Sequence, residues 1–256
     1  MRLIIITLLF VLGTSALDAQ YKMSIKKADN TTEDLWVHDI INVTFTNIAF
    51  TCGTSTIIYA GQTYNTVQIG SQCWLKKNLN VGTIIAGSSD QTDNGLIEKY
   101  CYNDLESNCT TYGGLYQWAE AVQYKNGATN TTSPSPAFTW NVQGICPTGW
   151  HIPTQAEFQT LENSATVNND GNTLKAIGQG TGSGVGTNMS GFSALLAGRR
   201  TGDGTFYGLS NFTFYWGSTE GNSLTAYTMY LYYDGSGIGL YDNDKTYGFS
   251  VRCCKD

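Results

Sequence analysis

Beyond residue 50 the chain is written in short apolar runs, many alternating with polar positions and most divided by glycine, asparagine or aspartate, and this pattern predicts strands joined by tight turns. Thr66-Val-Gln-Ile-Gly70 reads as a strand entering a turn, with Trp74, Leu75 and Leu79 as buried candidates after it. Further runs at residues 192–197, 212–216, 226–233, 238–241 and 249–254 predict an antiparallel sheet. In the run at 226–233, Tyr227, Met229, Leu231 and Tyr233 fall on one face and Thr228, Tyr230 and Tyr232 on the other. Both faces carry aromatic area, so this strand is either central or presents one face to a ligand. Two stretches switch to a helical period. Leu115, Trp118, Ala119 and Val122 recur at i, i+3, i+4 and i+7, and Thr154 with Glu157 forms a capping-box pattern ahead of Phe158 and Leu161. The glycines between 178 and 186 predict a loop, because no packed element tolerates that density and the spacing is not that of a phosphate-binding turn.

The first 50 residues have a different character. Arg2 precedes an apolar run from Leu3 to Leu12, too short to cross a bilayer, and small residues follow, so residues 1–19 are expected to be a signal peptide cut after Ala16 or, preferably, Ala19. Residues 20–50 lack both cysteine and glycine. They predict a hairpin, with one strand at Met23-Ser-Ile-Lys-Lys, a turn at Asn30-Thr-Thr and a second strand at Ile40-Ile-Asn-Val-Thr-Phe; His38, beside Trp36, is read as a packing or surface residue. The main domain is then residues 51–256.

Composition sharpens this picture. Of the 256 residues 13% are charged, 29 are glycine and 16 are tyrosine, which favours strands and turns over helices. A formal net charge of -6 with no lysine or arginine cluster lacks the electrostatic footprint of nucleic-acid binding. No later apolar stretch approaches the length of a membrane span. The six Asn-x-Ser/Thr triplets are taken as a product of composition rather than as glycosylation sites.

All seven cysteines, Cys52, Cys73, Cys101, Cys109, Cys146, Cys253 and Cys254, fall after the leader, and export with that spread implies disulfides and one sulfur left over. No C-x-x-C pair occurs and imidazole comes only from His38 and His151, which argues against structural zinc. The short separation of Cys101 from Cys109 predicts that they pair. His151 is the general-base candidate within the main domain, yet its place between Trp150 and a helix start suits a structural histidine. Glu120, Glu157, Glu220 and Asp203 are the acids a polysaccharide-cleaving enzyme could draw on, and no spacing marks a pair among them. Arg199 and Arg200 before Gly-Asp203-Gly suggest either a polar rim around a site or, preferably, a hairpin tip closed by a salt bridge.

Six landmarks occur in order: Val67-Gln-Ile-Gly-Ser-Gln-Cys-Trp74 with Lys77-Asn-Leu79, Tyr112-Gly-Gly-Leu-Tyr-Gln-Trp-Ala-Glu-Ala121, Gly144-Ile-Cys-Pro-Thr-Gly-Trp-His-Ile-Pro-Thr154, Gly191-Phe-Ser-Ala-Leu-Leu-Ala-Gly-Arg-Arg200, Phe214-Tyr-Trp-Gly-Ser-Thr-Glu220 and Gly248-Phe-Ser-Val-Arg-Cys253. Together, over about residues 60–256, they resemble the Fibrobacter succinogenes major paralogous domain, a family of exported Bacteroidetes and Fibrobacter proteins with no established activity. The resemblance implies an α+β, disulfide-stapled, C-type lectin-like fold, akin to that of the sulfatase-modifying factor, with short antiparallel strands and about two helices. It also implies a Cys146–Cys253 disulfide, which leaves Cys73 to pair with Cys254 or with Cys52.

The function expected is recognition, by an exported cell-surface or secreted domain, of a glycan or a surface protein. A hydrolase or transferase acting on extracellular polysaccharide and a structural subunit of a surface assembly are the alternatives, and no catalytic residue is assigned. Tyr230, Tyr232 and Tyr241, beside Asp234 and Asp242, are the expected ligand-binding residues, because aromatic rings left over from a core of Phe214, Trp216, Tyr227 and Phe249 make good contact surfaces. No cofactor is required; Asp234, Asp242 and Asp244 offer hard oxygens to a calcium ion, although the sugar-binding triplets of C-type lectins are absent and Trp216-Gly-Ser-Thr219 replaces their Trp-Asn-Asp.

Overall fold

The computed structural model describes residues 22–26, 31–36 and 49–256. The chain divides into two compact units, Met1–Phe50 and Thr51–Asp256. In the first, β1 (Lys22–Lys26) pairs antiparallel with β2 (Thr32–Trp36), so Met23 faces Leu35 across the hairpin. The partner strand thus starts at Thr32, the last residue of the Asn30-Thr-Thr segment; the strand expected at 40–45, His38 and the leader lie outside the described residues.

The second unit is mostly β, with three α-helices and three disulfides. β3 (Thr56–Tyr59), β4 (Gln62–Ile69) and β5 (Gln72–Leu75) form an antiparallel meander. β6 (Thr83–Ile84) and β7 (Glu98–Lys99) make a short parallel pair. Next come α1 (Glu106–Tyr112), α2 (Trp118–Ala121), β8 (Trp150–His151) and α3 (Gln155–Glu162). The last third holds β9 (Ala197–Arg200), β10 (Phe206–Leu209), β11 (Phe212–Glu220), β12 (Thr225–Tyr232), β13 (Ile238–Asp244) and β14 (Cys254–Lys255). Two five-stranded sheets result, in the orders β3-β4-β5-β14-β8 and β10-β9-β11-β12-β13. The second is not wholly antiparallel, since β9 runs parallel to β11 at Gly198 and Thr213.

The closing segment stitches the sheets together. Phe249 bridges to Tyr116, Ser250 to Tyr215 and Gly248 to Arg200, and Cys254 then pairs with both Trp74 and His151. Period-two alternation divides the core in two. Cys73, Leu75, Phe212, Phe214, Trp216 and Cys253 enter one cluster, while Trp74, Tyr215, Met229, Leu231 and Cys254 enter the other, which α3 covers with Phe158 and Leu161.

That alternation separates Cys73 from Cys254. Cys101 pairs with Cys109 and Cys146 with Cys253, and Cys73 pairs with Cys52. Cys254 is therefore not in a disulfide: it is a buried thiol, on the core face opposite to Cys73. Among the helices, α3 starts as its sequence predicts, with Thr154 Oγ1 accepting from the Glu157 amide at 3.2 Å and Glu157 Oε2 accepting from the Thr154 amide at 2.8 Å. The helix expected around Leu115 shrinks to the single turn of α2, because Leu115 and Tyr116 are extended and bridge to Tyr100 and Phe249. Every residue from Leu115 to Val122 is buried, so that stretch has no solvent side to which a helical stripe could be amphipathic. Helix α1, inside the Cys101–Cys109 region, and strand β10 have no counterpart in the sequence expectation, and residues 192–196 lead into β9 rather than forming a strand. The glycines from 178 to 186 do form a loop, with one 3-10 turn at Gly182–Gly184.

Candidate recognition face

Strands β11, β12 and β13 place alternate side chains on one face of the second sheet. Phe212 lies opposite Tyr232, Phe214 opposite Tyr230, and Tyr241 opposite Thr228. The rings form a chain of contacts: Tyr207 to Phe212 at 5.9 Å, Phe212 to Phe214 at 5.5 Å, Phe214 to Tyr230 at 4.5 Å and Tyr230 to Tyr232 at 5.9 Å. Phe212 and Phe214 are buried, Tyr230 is half-buried, and Tyr207, Tyr232 and Tyr241 are 61%, 36% and 59% exposed. The result is a ledge of tyrosines on a phenylalanine floor. Trp216 and Phe249 belong to the core as expected, whereas Tyr227 is only half-buried.

Arg199 of β9 stands in this ledge. Its guanidinium carbon is 5.5 Å from the Phe212 ring, 5.9 Å from Phe214 and 5.2 Å from Tyr247, within cation–π range. Its buried Nε has no hydrogen-bond partner, and Arg199 makes no ion pair among the described residues. Arg200, pointing the other way, is bound to Asp90 at 3.1 Å and to the Gly87 and Thr246 carbonyls. Asp203 bonds neither arginine; it accepts from Thr201 and Thr205 within its own turn, which holds its pKa down to about 2. The hairpin tip is closed by an Asx turn and not by a salt bridge. Burial pushes the Tyr230 hydroxyl up to about 12, with the neighbouring Tyr232 adding to the effect and Arg199 opposing it.

The carboxylates are arranged differently from the expectation. Asp242 lies on the opposite face of β13 from Tyr241, opposite Tyr227, and accepts from Thr225 Oγ1 at 2.9 Å. Asp234 is in the β12–β13 turn, while Asp244 is at the far end of β13 and caps Thr246. The structure does not bring Asp234, Asp242 and Asp244 together as calcium ligands. Among the described residues, the group whose ligand atoms gather within 4.8 Å of one another is His151, Glu157 and Cys254.

That group has an occupation of its own. His151 Nε2 is 2.7 Å from Glu157 Oε1 and Nδ1 is 2.7 Å from Asp256 Oδ1. Two carboxylates on two ring nitrogens require both to carry hydrogen, so the arrangement is that of an imidazolium. Burial opposes the charge, but the two carboxylates outweigh it and raise the pKa. The neighbouring Cys254 thiol is pushed up to about 12 by burial, far from a thiolate. Neither base nor nucleophile is free here. Of the remaining acids, Glu220 pairs with buried Lys245, while Glu120, fully buried, accepts from the Glu98 amide and from Gln123 through Oε1, leaves Oε2 without a partner, and has its pKa raised to about 7 by desolvation.

Residues 67–255 match the Fibrobacter succinogenes major domain. The chain belongs to that family. No curated protein and no solved structure matches it. In this member of the Fibrobacter succinogenes major domain family the matched region includes both sheets from within β4 onward, all three helices and the whole tyrosine ledge. The signal for Tyr230 and Tyr232 was the doubly aromatic strand pattern, and Tyr241 was the ring left over in the next strand; Arg199 stands at the ledge as the polar-rim reading of the Arg199-Arg200 pair allows, whereas Tyr207 and Phe212 were missed as ledge residues because only strand pairing places them beside it.

Proposed function

We propose that the protein is an exported recognition module that binds glycan across the tyrosine ledge. The observation that carries the reading is the ring chain Tyr207, Phe212, Phe214, Tyr230 and Tyr232 around Arg199, which has no ion-pair partner among the described residues. Each exposed ring bears a hydroxyl and the hydrocarbon rings lie beneath, so the surface offers π faces with hydrogen-bonding rims, the complement of a sugar ring with one apolar face. Buried disulfides support an oxidising, extracytoplasmic setting, and among the described residues no helix is long and apolar enough to cross a membrane. The pairing of Glu157 with His151 and of Glu220 with Lys245, and the hydrogen bonds that tie Asp203 into its own turn, favour binding over hydrolysis.

The test is retention of the oxidised chain on a panel of immobilised polysaccharides, with Tyr232→Ala and Tyr241→Ala as variants. Both side chains are exposed, so folding is expected to be unchanged, and each loss should weaken binding about three- to tenfold if the rings stack on the ligand. Retention that is the same for the double variant, or no retention on any polysaccharide, overturns the reading.

A further inference from the structure

A second feature lies away from the ledge, where four sequence landmarks meet. A cavity of about 330 Å³ is lined by Lys76, Lys77 and Asn78 just after β5, by residues 109–113 at the end of α1, by Ser193 and Leu195 before β9, and by Arg252 of the closing segment. Its wall is held in place by Gly113, whose φ is +86° and whose position leaves no room for a side chain: a Cβ there would lie 2.5 Å from the Asn78 Cβ.

The charge of this cavity is anomalous. The chain as a whole carries a formal net charge of -6, yet the lining includes three cations and no aspartate or glutamate. Arg252 is 1% exposed, and its guanidinium donates to Asn78 Oδ1 at 3.0 and 2.6 Å, to the Leu75 carbonyl at 3.2 Å and to the Phe192 carbonyl at 2.5 Å. All these acceptors are neutral. The guanidinium also stacks on Phe192 at 4.4 Å, which fixes it without neutralising it. The buried cations elsewhere are treated differently: Lys99 has Glu106, Arg200 has Asp90 and Lys245 has Glu220. Even Lys175, held by the Tyr232 and Gly235 carbonyls, feels the charges of Asp170 and Asp234. Among the described residues no carboxylate pairs with Arg252, and desolvation lowers its pKa. A buried cation without a counter-charge is costly, and here two more cationic residues, half-buried Lys76 and exposed Lys77, line the same cavity, with no ion pair among the described residues.

We propose that this cavity is a binding site for an oxyanion, a carboxylate or sulfate group carried on a ligand of about single-sugar-ring size. Lys76 and Lys77 contact the anion directly at the mouth, and Arg252 with Asn78 forms the preorganised positive floor. The Asn65 amide, on the same wall, is available to a hydroxyl of the ligand. None of these residues belongs to the tyrosine ledge, so the site stands whether or not the ledge binds glycan.

The experiment is calorimetric titration of the full oxidised chain with galacturonate, with inorganic sulfate and with neutral galactose, at low and high salt. Wild type is expected to bind galacturonate saturably, more weakly as salt rises, and not to bind galactose. A Lys76→Gln/Lys77→Gln variant should melt like wild type, since both side chains reach solvent, and should bind the anion at least about tenfold more weakly. Tyr232→Ala should leave this binding unchanged. Sulfate binding as tightly as galacturonate supports recognition of the oxyanion alone, and tighter galacturonate supports recognition of the ring as well. The proposal is overturned if neither anion binds, if galactose binds as well as galacturonate, or if the double lysine variant binds as wild type does.

Discussion

Replacing Cys146 and Cys253 together by alanine asks how far the closing strand depends on its covalent tie. The bond closes a loop with a sequence separation of 107 residues. Loop-closure entropy of the form 2.1 + 1.5R ln n cal/mol/K then gives about 4.8 kcal/mol at 25 °C. The same relation gives about 3.3 kcal/mol for Cys52–Cys73, with a separation of 21, and about 2.5 kcal/mol for Cys101–Cys109, with a separation of 8. Cys146 and Cys253 are both fully buried, so alanine also leaves an unfilled volume in the core that adds to the loss. For a unit of this size 1 kcal/mol shifts Tm by about 2–4 °C, so the variant should melt roughly 10–19 °C lower. Differential scanning calorimetry of the three double-alanine variants, without reductant, should rank them in the order of their loop lengths. A Cys101/Cys109 variant that loses as much as the Cys146/Cys253 variant refutes the reasoning, because local packing rather than loop closure would then dominate.

Three further outcomes follow from the buried ionisable groups. His151→Gln should cost about 2–3 kcal/mol in urea unfolding, less than the full penalty for breaking a buried pair because Asp256 is half-exposed. Since the folded pKa of His151 is raised, its contribution is complete below the ordinary histidine value and lost as pH rises through the raised one; wild type should weaken over that window and the variant should not. Glu120 has a linkage of the same sign in a lower pH window: its pKa is raised to about 7, so the folded state holds the proton more tightly than the unfolded state does, and stability falls as pH rises from the ordinary carboxylate range through about 7. Glu120→Gln should remove that slope, on the order of 3 kcal/mol, and an unaltered pH profile of unfolding counts against it. The Cys254 thiol, buried with its pKa pushed up to about 12, should resist iodoacetamide in native protein and react once denaturant is added, with mass spectrometry placing the adduct on that residue.

Much of the architecture was legible in the sequence because it rests on local rules. The capping box of α3 depends on residues three apart, and Thr154 with Glu157 performs it as written. Strands β11, β12 and β13 follow the alternation in the last third of the chain, including the outward set Tyr230, Tyr232 and Tyr241. Alternation also carried information that the expectation did not use: adjacent residues of a strand face opposite ways, so Tyr241 and Asp242 were never able to share a surface. The same rule, applied to Cys73 and Cys254, separates them once their strands are known to pair at Trp74.

Sequence by itself determined the class of the fold, the turns, the helix start at Thr154, the Cys101–Cys109 link and the aromatic character of the exposed strand, since each is written within a few neighbouring positions. Tertiary structure alone decided which distant groups meet. It made an imidazolium of His151 by bringing Glu157 and Asp256 to its two nitrogens, and it set Arg199 among rings, with no ion pair among the described residues, while giving Asp90 to Arg200. It also drew Lys76, Asn78 and Arg252 around one cavity from positions more than 170 residues apart. Charge balance is a property of space rather than of sequence: a chain that is acidic overall can hold a locally cationic pocket, because pairing depends on distances of a few ångströms that only the fold sets.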